Sequence, residues 1–180
     1  KGIHAPPMAE TALAMMLFFG RGLDFAVASQ AGATWDTGPF YAADHPLVEL
    51  SGSTVGIFGF GGIGREVARR VRALGARVLA CDRSPAAFQD GGRMAMGPPL
   101  DLSDPGLHTL HGEVGFRRLL DESDFLVLAA PETPGTRGIL DRAALARMRP
   151  SAVLVNLSRG ALVETDALLD ALKGGGLRGA

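Results

Sequence analysis

Thr54-Val55-Gly56-Ile57-Phe58-Gly59-Phe60-Gly61-Gly62-Ile63-Gly64 is the stretch from which the rest of this chain can be read. A run of β-forming apolar residues leads into G-x-G-x-x-G, and a helical pattern starts directly behind it. Each glycine has a separate physical job in such a turn. Gly59 permits the tight exit from the strand, Gly61 removes a Cβ that would obstruct a pyrophosphate, and Gly64 lets the new helix pack closely on the sheet. Peptide N–H groups at that helix start then face the phosphates with the helix dipole behind them. Ile63, Val67, Val71 and Leu74 recur at helical spacing, and Arg65, Glu66, Arg69 and Arg70 take the other side. Gly75 closes the helix and Arg77 to Cys81 reads as a second strand. Asp82 stands at its tip, about 20 residues past the glycines, where a carboxylate accepts from the adenosine ribose hydroxyls. The plainer alternative is a turn aspartate ahead of Arg83-Ser84-Pro85. A glycine loop alone is weak evidence; strand, loop, helix and acid together predict a dinucleotide-binding βαβ unit. Asp82 would repel a 2′-phosphate, which favours NAD over NADP, although Arg83 beside it is the residue type that pairs with one.

Outward from this unit the chain alternates. Pro6 and Pro7 open a helix expected to run to about residue 29, apolar on most faces, which suits either a core helix or one that meets another subunit. Residues 30–53 read as a loop to the first strand, with His45 as a surface histidine. Residues 84–114 look irregular, rich in Gly, Pro and Asp. His108 and His111 are three apart there, but no third ligand accompanies them, so no metal site is expected. A short helix over Phe116–Glu122 precedes Asp124 to Ala130, a strand apolar on both faces, as parallel strands covered on both sides are. Its loop, Pro131 to Gly138, offers Thr133 and Thr136 as hydroxyl donors. Asp141 caps a helix through Met148, Ala152 to Asn156 is the next strand, and a last helix runs from Glu164 or Thr165 to Lys173. This order predicts a single α/β domain, a Rossmann-type doubly wound parallel sheet over residues 1–180. Ligands of such sheets lie beyond the C-terminal strand ends, where Asn156-Leu157-Ser158-Arg159-Gly160 falls. Arg159 there is either a surface arginine or a bidentate clamp for a substrate carboxylate.

Composition narrows the field. The 180 residues carry 18 basic and 19 acidic side chains, and that near balance gives no electrostatic case for nucleic acid or an anionic membrane. The lone Cys81 excludes an internal disulfide and reads as core at the end of the second strand. No signal peptide or membrane span is visible, so a soluble, cytoplasmic protein is expected. The chain opens without Met and ends on Leu177-Arg178-Gly179-Ala180, as an excised piece would.

Gly59-Phe60-Gly61-Gly62-Ile63-Gly64, Asp82, the run Pro131 to Gly138 and Asn156 to Gly160, in this order, resemble the nucleotide-binding domain of D-isomer-specific 2-hydroxyacid dehydrogenases, phosphoglycerate-type enzymes included. The resemblance runs from Ala9-Glu10 to the last residue. It implies that Gly62 and Ile63 hold the pyrophosphate, that Ala130 and Pro131 line the cofactor cleft, and that Leu157 and Ser158 lie near the nicotinamide. Arg159 matches the family's catalytic arginine, which binds the substrate carboxylate and carbonyl. The implied reaction is reversible hydride transfer between NAD and the C2 of a 2-hydroxy or 2-oxo acid, and the implied assembly is a homodimer paired through this domain. In the family a histidine, tuned by a glutamate, handles the substrate proton. Both fall beyond Ala180, as does part of the substrate domain, and His4, His45, His108 and His111 match neither. The 180 residues alone are therefore expected to bind cofactor weakly and turn over nothing. A different class of function in the same family is the NAD(H)-sensing corepressor, but no peptide-docking groove is legible in this sequence.

Overall fold

The computed structural model describes residues 3–42, 47–83, 85–88 and 100–180; His45 lies outside them. Five parallel strands form one sheet in the order β3-β2-β1-β4-β5. They are β1 (Thr54–Phe58), β2 (Arg77–Asp82), β3 (Leu107–His111), β4 (Phe125–Leu128) and β5 (Val153–Asn156). The helices are α1 (Ala5–Gly20), α2 (Leu23–Ala31), α3 (Gly38–Tyr41), α4 (Gly62–Ala73), α5 (Gly112–Glu122), α6 (Arg142–Leu145) and α7 (Thr165–Lys173). Both faces of the sheet are covered, and β4 shows why its sequence is continuously apolar. Phe125 and Val127 enter a core with Val55, Ile57, Val67 and Val71. Leu126 and Leu128 point the other way, into a core with Leu119, Leu140, Leu154 and Leu162. A strand's period of two sends alternate side chains to opposite faces, and each buried aliphatic side chain contributes about 1.5–3 kcal/mol. From β1 the order runs one way to β2 and β3 and the other way to β4 and β5, so a crevice opens between β1 and β4 at their C-terminal ends. Gly179 bridges Val153 on the outer edge of β5.

Besides the one-turn α3 inside residues 30–53, which read as a loop, the structure departs from the sequence expectations in four places of the fold. The long first helix is two, joined at a 72° bend. Gly22 makes the break with φ 69°, a left-handed conformation that a side chain would resist. Arg178, far away in sequence, secures this corner by donating to Asp24 and lying over Phe25, its guanidinium carbon 4.6 Å from the ring centroid. Second, residues 84–114 contain a short 3-10 turn (Pro85–Phe88), the edge strand β3 and the start of α5. Leu107 and Leu110 bury into opposite cores with polar residues around them, so β3 carries neither an alternating nor a continuous apolar signature. His108 and His111, an odd number apart on a strand, face opposite ways rather than sharing a helical turn. Third, Arg65 and Glu66 are buried, not on a solvated face: the Arg65 guanidinium lies 5.0 Å from the Phe60 ring and Glu66 bonds Arg70 at 2.6 Å. Fourth, the Asp141-capped helix is a single turn, with Oδ1 accepting from the Ala144 N–H at 2.7 Å.

Ion pairs ring the N-terminal side of the sheet. Glu122, ending α5, accepts from Arg118 at 2.6 Å and from Arg77 on β2 at 2.9 Å. The Arg118 hydrogen bond foremost, joined by the Arg77 bond and both positive charges, holds its carboxyl below the usual carboxylate range against the opposing pull of desolvation. A depressed folded-state pKa stabilises above the unfolded value and is lost as pH falls through the folded one. Glu122→Gln is therefore expected to flatten the acid limb of a Tm-against-pH curve while leaving its neutral plateau within about 1 kcal/mol. An acid limb unchanged by the substitution would show that the pair contributes nothing.

Candidate functional site

The turn after β1 is shaped by contact, not only by composition. Gly59 has φ 96°, and a Cβ there would stand 2.4 Å from the Ala130 nitrogen, so the chain leaving β1 passes directly against the chain leaving β4. At Gly64 a Cβ would meet the Gly59 carbonyl oxygen at 2.3 Å, which fixes how closely α4 approaches β1. Gly61 differs: a Cβ there meets nothing within 4 Å, so its face is open. The first intrahelical bond of α4 runs from the Arg65 N–H to the Gly61 carbonyl at 3.0 Å. The N–H groups of Gly62, Ile63 and Gly64 precede it, and no side chain caps this end. The open cradle and uncapped N–H groups fit an anion. The Asp82 carboxylate, at the tip of β2, accepts from the Phe60 N–H at 3.1 Å and so also braces the glycine loop.

Two compartments share Ala130 and Pro131. The smaller, about 190 Å³, lies between Gly59, Asp82, Arg83 and Thr136. The larger, about 650 Å³, is walled by Ile63, Leu157, Ser158 and Arg159 and, from α1, by His4 and Met8. Thr136 sits in the first, but its hydroxyl is not offered to a ligand as the sequence reading had it. It is buried, donates to the Pro131 carbonyl at 2.8 Å and accepts from the Thr133 N–H at 2.8 Å, so it pins the loop after β4. Arg83 reaches over the same compartment: a Cβ on Gly135 would stand 2.3 Å from its Nη1. Glu132, on the rim of the larger compartment, is engaged by Arg137.

The loop after β5 is held by a residue the sequence reading quoted but assigned no part. Asn156 Oδ1 accepts from the Ser158 N–H and its Nδ2 donates to the Arg159 carbonyl, both at 2.9 Å. An Asx residue bonding the backbone two positions on is a readable turn signal. Thus braced, Arg159 stands exposed at the cleft, with Nη1 on the Ser158 carbonyl at 2.9 Å and no ion pair among the described residues. The Ser158 Oγ is buried without a hydrogen-bond partner among the described residues. Cys81 packs in the core; burial foremost, then the Asp82 charge, pushes its thiol up to about 12, which removes it as a nucleophile. His4 and Met8 reach the site from the far end of the sequence, with no local signal to mark them.

A doubly wound parallel sheet with a glycine cradle at its switch point and an acid at the tip of β2 defines a dinucleotide-binding domain. The chain belongs to the D-isomer specific 2-hydroxyacid dehydrogenase family, as its NAD binding domain, whose family model matches residues 13–180. It is 39% identical over 175 residues to D-3-phosphoglycerate dehydrogenase of Mycobacterium tuberculosis (strain ATCC 25618 / H37Rv), covering 96% of this chain and 29% of that one. It is 33% identical over 174 residues to hydroxypyruvate reductase of Thermotoga maritima, covering 97% and 49% respectively. Among solved structures, the NAD-complexed form of the D-isomer specific 2-hydroxyacid dehydrogenase from Lactobacillus delbrueckii ssp. bulgaricus superposes with a TM-score of 0.74 at 27% identity, covering 97% of this chain and 48% of that one. The chain spans under half the length of each of these relatives. No single helix among the described residues is long and apolar enough to cross a membrane.

Proposed function

We propose that this domain is the cofactor half of a dehydrogenase that interconverts D-2-hydroxy acids and 2-oxo acids. The observation that carries the reading is a pair of compartments that share Ala130 and Pro131, one lined by Gly59 and Asp82 and the other by Ile63 and Arg159. In this reading Asp82 accepts from the adenosine ribose, the N–H groups of Gly62 and Ile63 take the pyrophosphate, and Leu157 and Ser158 lie under the nicotinamide. When bound, NAD supplies the hydride acceptor, and NADH the donor. Arg159 presents a planar fork of donors to the substrate carboxylate and carbonyl, orienting C2 and polarising its oxygen. Asn156 keeps that fork in register. The family resemblance assigns the proton to a histidine and a glutamate outside these residues, so the 180-residue chain is expected to quench on NADH titration without turnover. Reduction of 2-oxo acids by the intact enzyme tests the reading, and an intact enzyme inert to every 2-oxo acid with NADH bound would overturn it.

Cofactor choice gives a separate expectation. Asp82→Asn keeps an oxygen for the Phe60 N–H and removes the charge that repels a 2′-phosphate, while Arg83 stays in the same compartment. The ratio of NADH to NADPH affinity, read by fluorescence titration, is expected to fall about tenfold, equivalent to ~1.4 kcal/mol. An unchanged ratio would remove Asp82 as the discriminating group.

A homodimer completes the proposal. Trp35 is 94% and Tyr41 83% exposed, and with Val27 they form apolar surface on the α2–α3 face of a domain whose relatives are longer. Light scattering on the intact enzyme is expected to give twice the chain mass; a monomer would count against it. The lone buried Cys81 suits a reducing, cytoplasmic setting.

A further inference from the structure

Part of the lining of the larger compartment comes from the first turn of α1. His4 and Met8 are four apart, with the Met8 N–H on the His4 carbonyl at 3.1 Å, so both side chains fall on one face, and both line the cleft with Arg159. Three polar side chains capable of ionic contact border this space: Arg159, His4 and Glu132. Glu132 is already paired with Arg137. Arg159 gives one N–H to a backbone carbonyl and keeps the rest of its fork. The His4 imidazole is exposed and makes no hydrogen bond or ion pair with any described residue. The remaining lining on that side, Ala5, Met8 and Leu157, is apolar and satisfies none of its capacity. A lone histidine at a helix start is most often a solvated residue; His4 differs in sharing a compartment with Arg159, the arginine of the proposed substrate site.

Resting on the proposed dehydrogenase reading, we propose that His4 is a specificity residue: its imidazole donates to an oxygen carried on C3 of the substrate, while Arg159 holds the carboxylate. The two donors line one compartment from different elements, so a ligand that engages both needs two acceptors. A 2-oxo acid with a 3-hydroxyl supplies both; one ending in a plain methyl group supplies only the carboxylate end. Discrimination of this kind is strong where a site is built around a hydrogen bond, because the wrong ligand leaves the protein's donor unsatisfied. The exposure of His4 moderates the effect, since water replaces the missing partner.

The test uses the intact enzyme and its His4→Ala and His4→Gln variants, each with hydroxypyruvate and with pyruvate as the 2-oxo acid. The wild type is expected to favour hydroxypyruvate, and His4→Ala to lower that preference by roughly tenfold, mostly through KM for hydroxypyruvate. His4→Gln, which keeps an N–H donor, should restore part of it. As a readout independent of turnover, calorimetric titration of D-glycerate into NADH-saturated enzyme should weaken in His4→Ala while that of D-lactate holds, and NADH affinity itself should not change. Equal changes for both substrates, or none, would overturn the proposal and leave the dehydrogenase reading standing. A wild type that reduces neither substrate nor any other 2-oxo acid would instead defeat that reading.

Discussion

Gly61→Ala and Gly64→Ala, three residues apart in one loop, are expected to fail in opposite ways. At Gly64 the added methyl would sit 2.3 Å from the Gly59 carbonyl oxygen, a backbone atom held by the close pass of Gly59 against Ala130. The only relief is to move α4 off β1, which loosens Val67, Val71 and Ile57 from their shared core. Overpacking of this kind costs about 1–3 kcal/mol or more, which for a domain of this size lowers Tm by roughly 2–12 °C. Gly61→Ala meets nothing within 4 Å, so Tm should hold. Its methyl instead occupies the cradle that fits the anion, and NADH affinity is expected to drop by tenfold or more, about 1.4 kcal/mol at least. Thermal melts with and without NADH separate the two: Gly64→Ala melts low in both, and Gly61→Ala melts normally but gains little from cofactor. A Gly61→Ala domain that bound NADH normally would place the pyrophosphate elsewhere.

Arg159→Ala in the intact enzyme is expected to lower kcat/KM for every 2-oxo acid by at least ~30-fold, because truncating one partner of a hydrogen-bonded charge pair at a binding site costs about 2–5 kcal/mol. NADH affinity should barely change, since Arg159 stands at the substrate end of the cleft and binds only Ser158's carbonyl within the loop. Arg159→Lys should recover little. It keeps the charge but loses the planar fork that addresses carboxylate and carbonyl together. Loss confined to one substrate would make Arg159 a selectivity residue instead of the common anchor. Asn156→Ala should reproduce a fraction of the defect in kcat/KM, because it frees the loop without removing the guanidinium.

The sheet was legible wherever its residues obey one rule along their length. β1, β4 and β5 are apolar on both faces because both faces are covered, and α4 and α7 show their period and their terminating glycines. β3 was not, since an edge strand with Leu107 and Leu110 on opposite sides mixes polar and apolar residues without period. Arg65 and Glu66 misled because charge predicts a solvated face only when no neighbour supplies partners. Here Phe60 and Arg70 do.

The same division holds for the site. The sequence by itself located the glycine loop, the acid at the tip of β2 and the arginine after β5, because each falls at a strand end that its local pattern marks. Only the tertiary structure decided that Thr136 spends its hydroxyl on its own loop, that Arg83 lines Asp82's compartment, that Arg178 secures the bend at Gly22, and that His4 lines one compartment with Arg159. Most of these are meetings between segments distant along the chain, and no local pattern encodes them. They come into being when five strands with different ends are laid side by side and their loops are left to share one crevice.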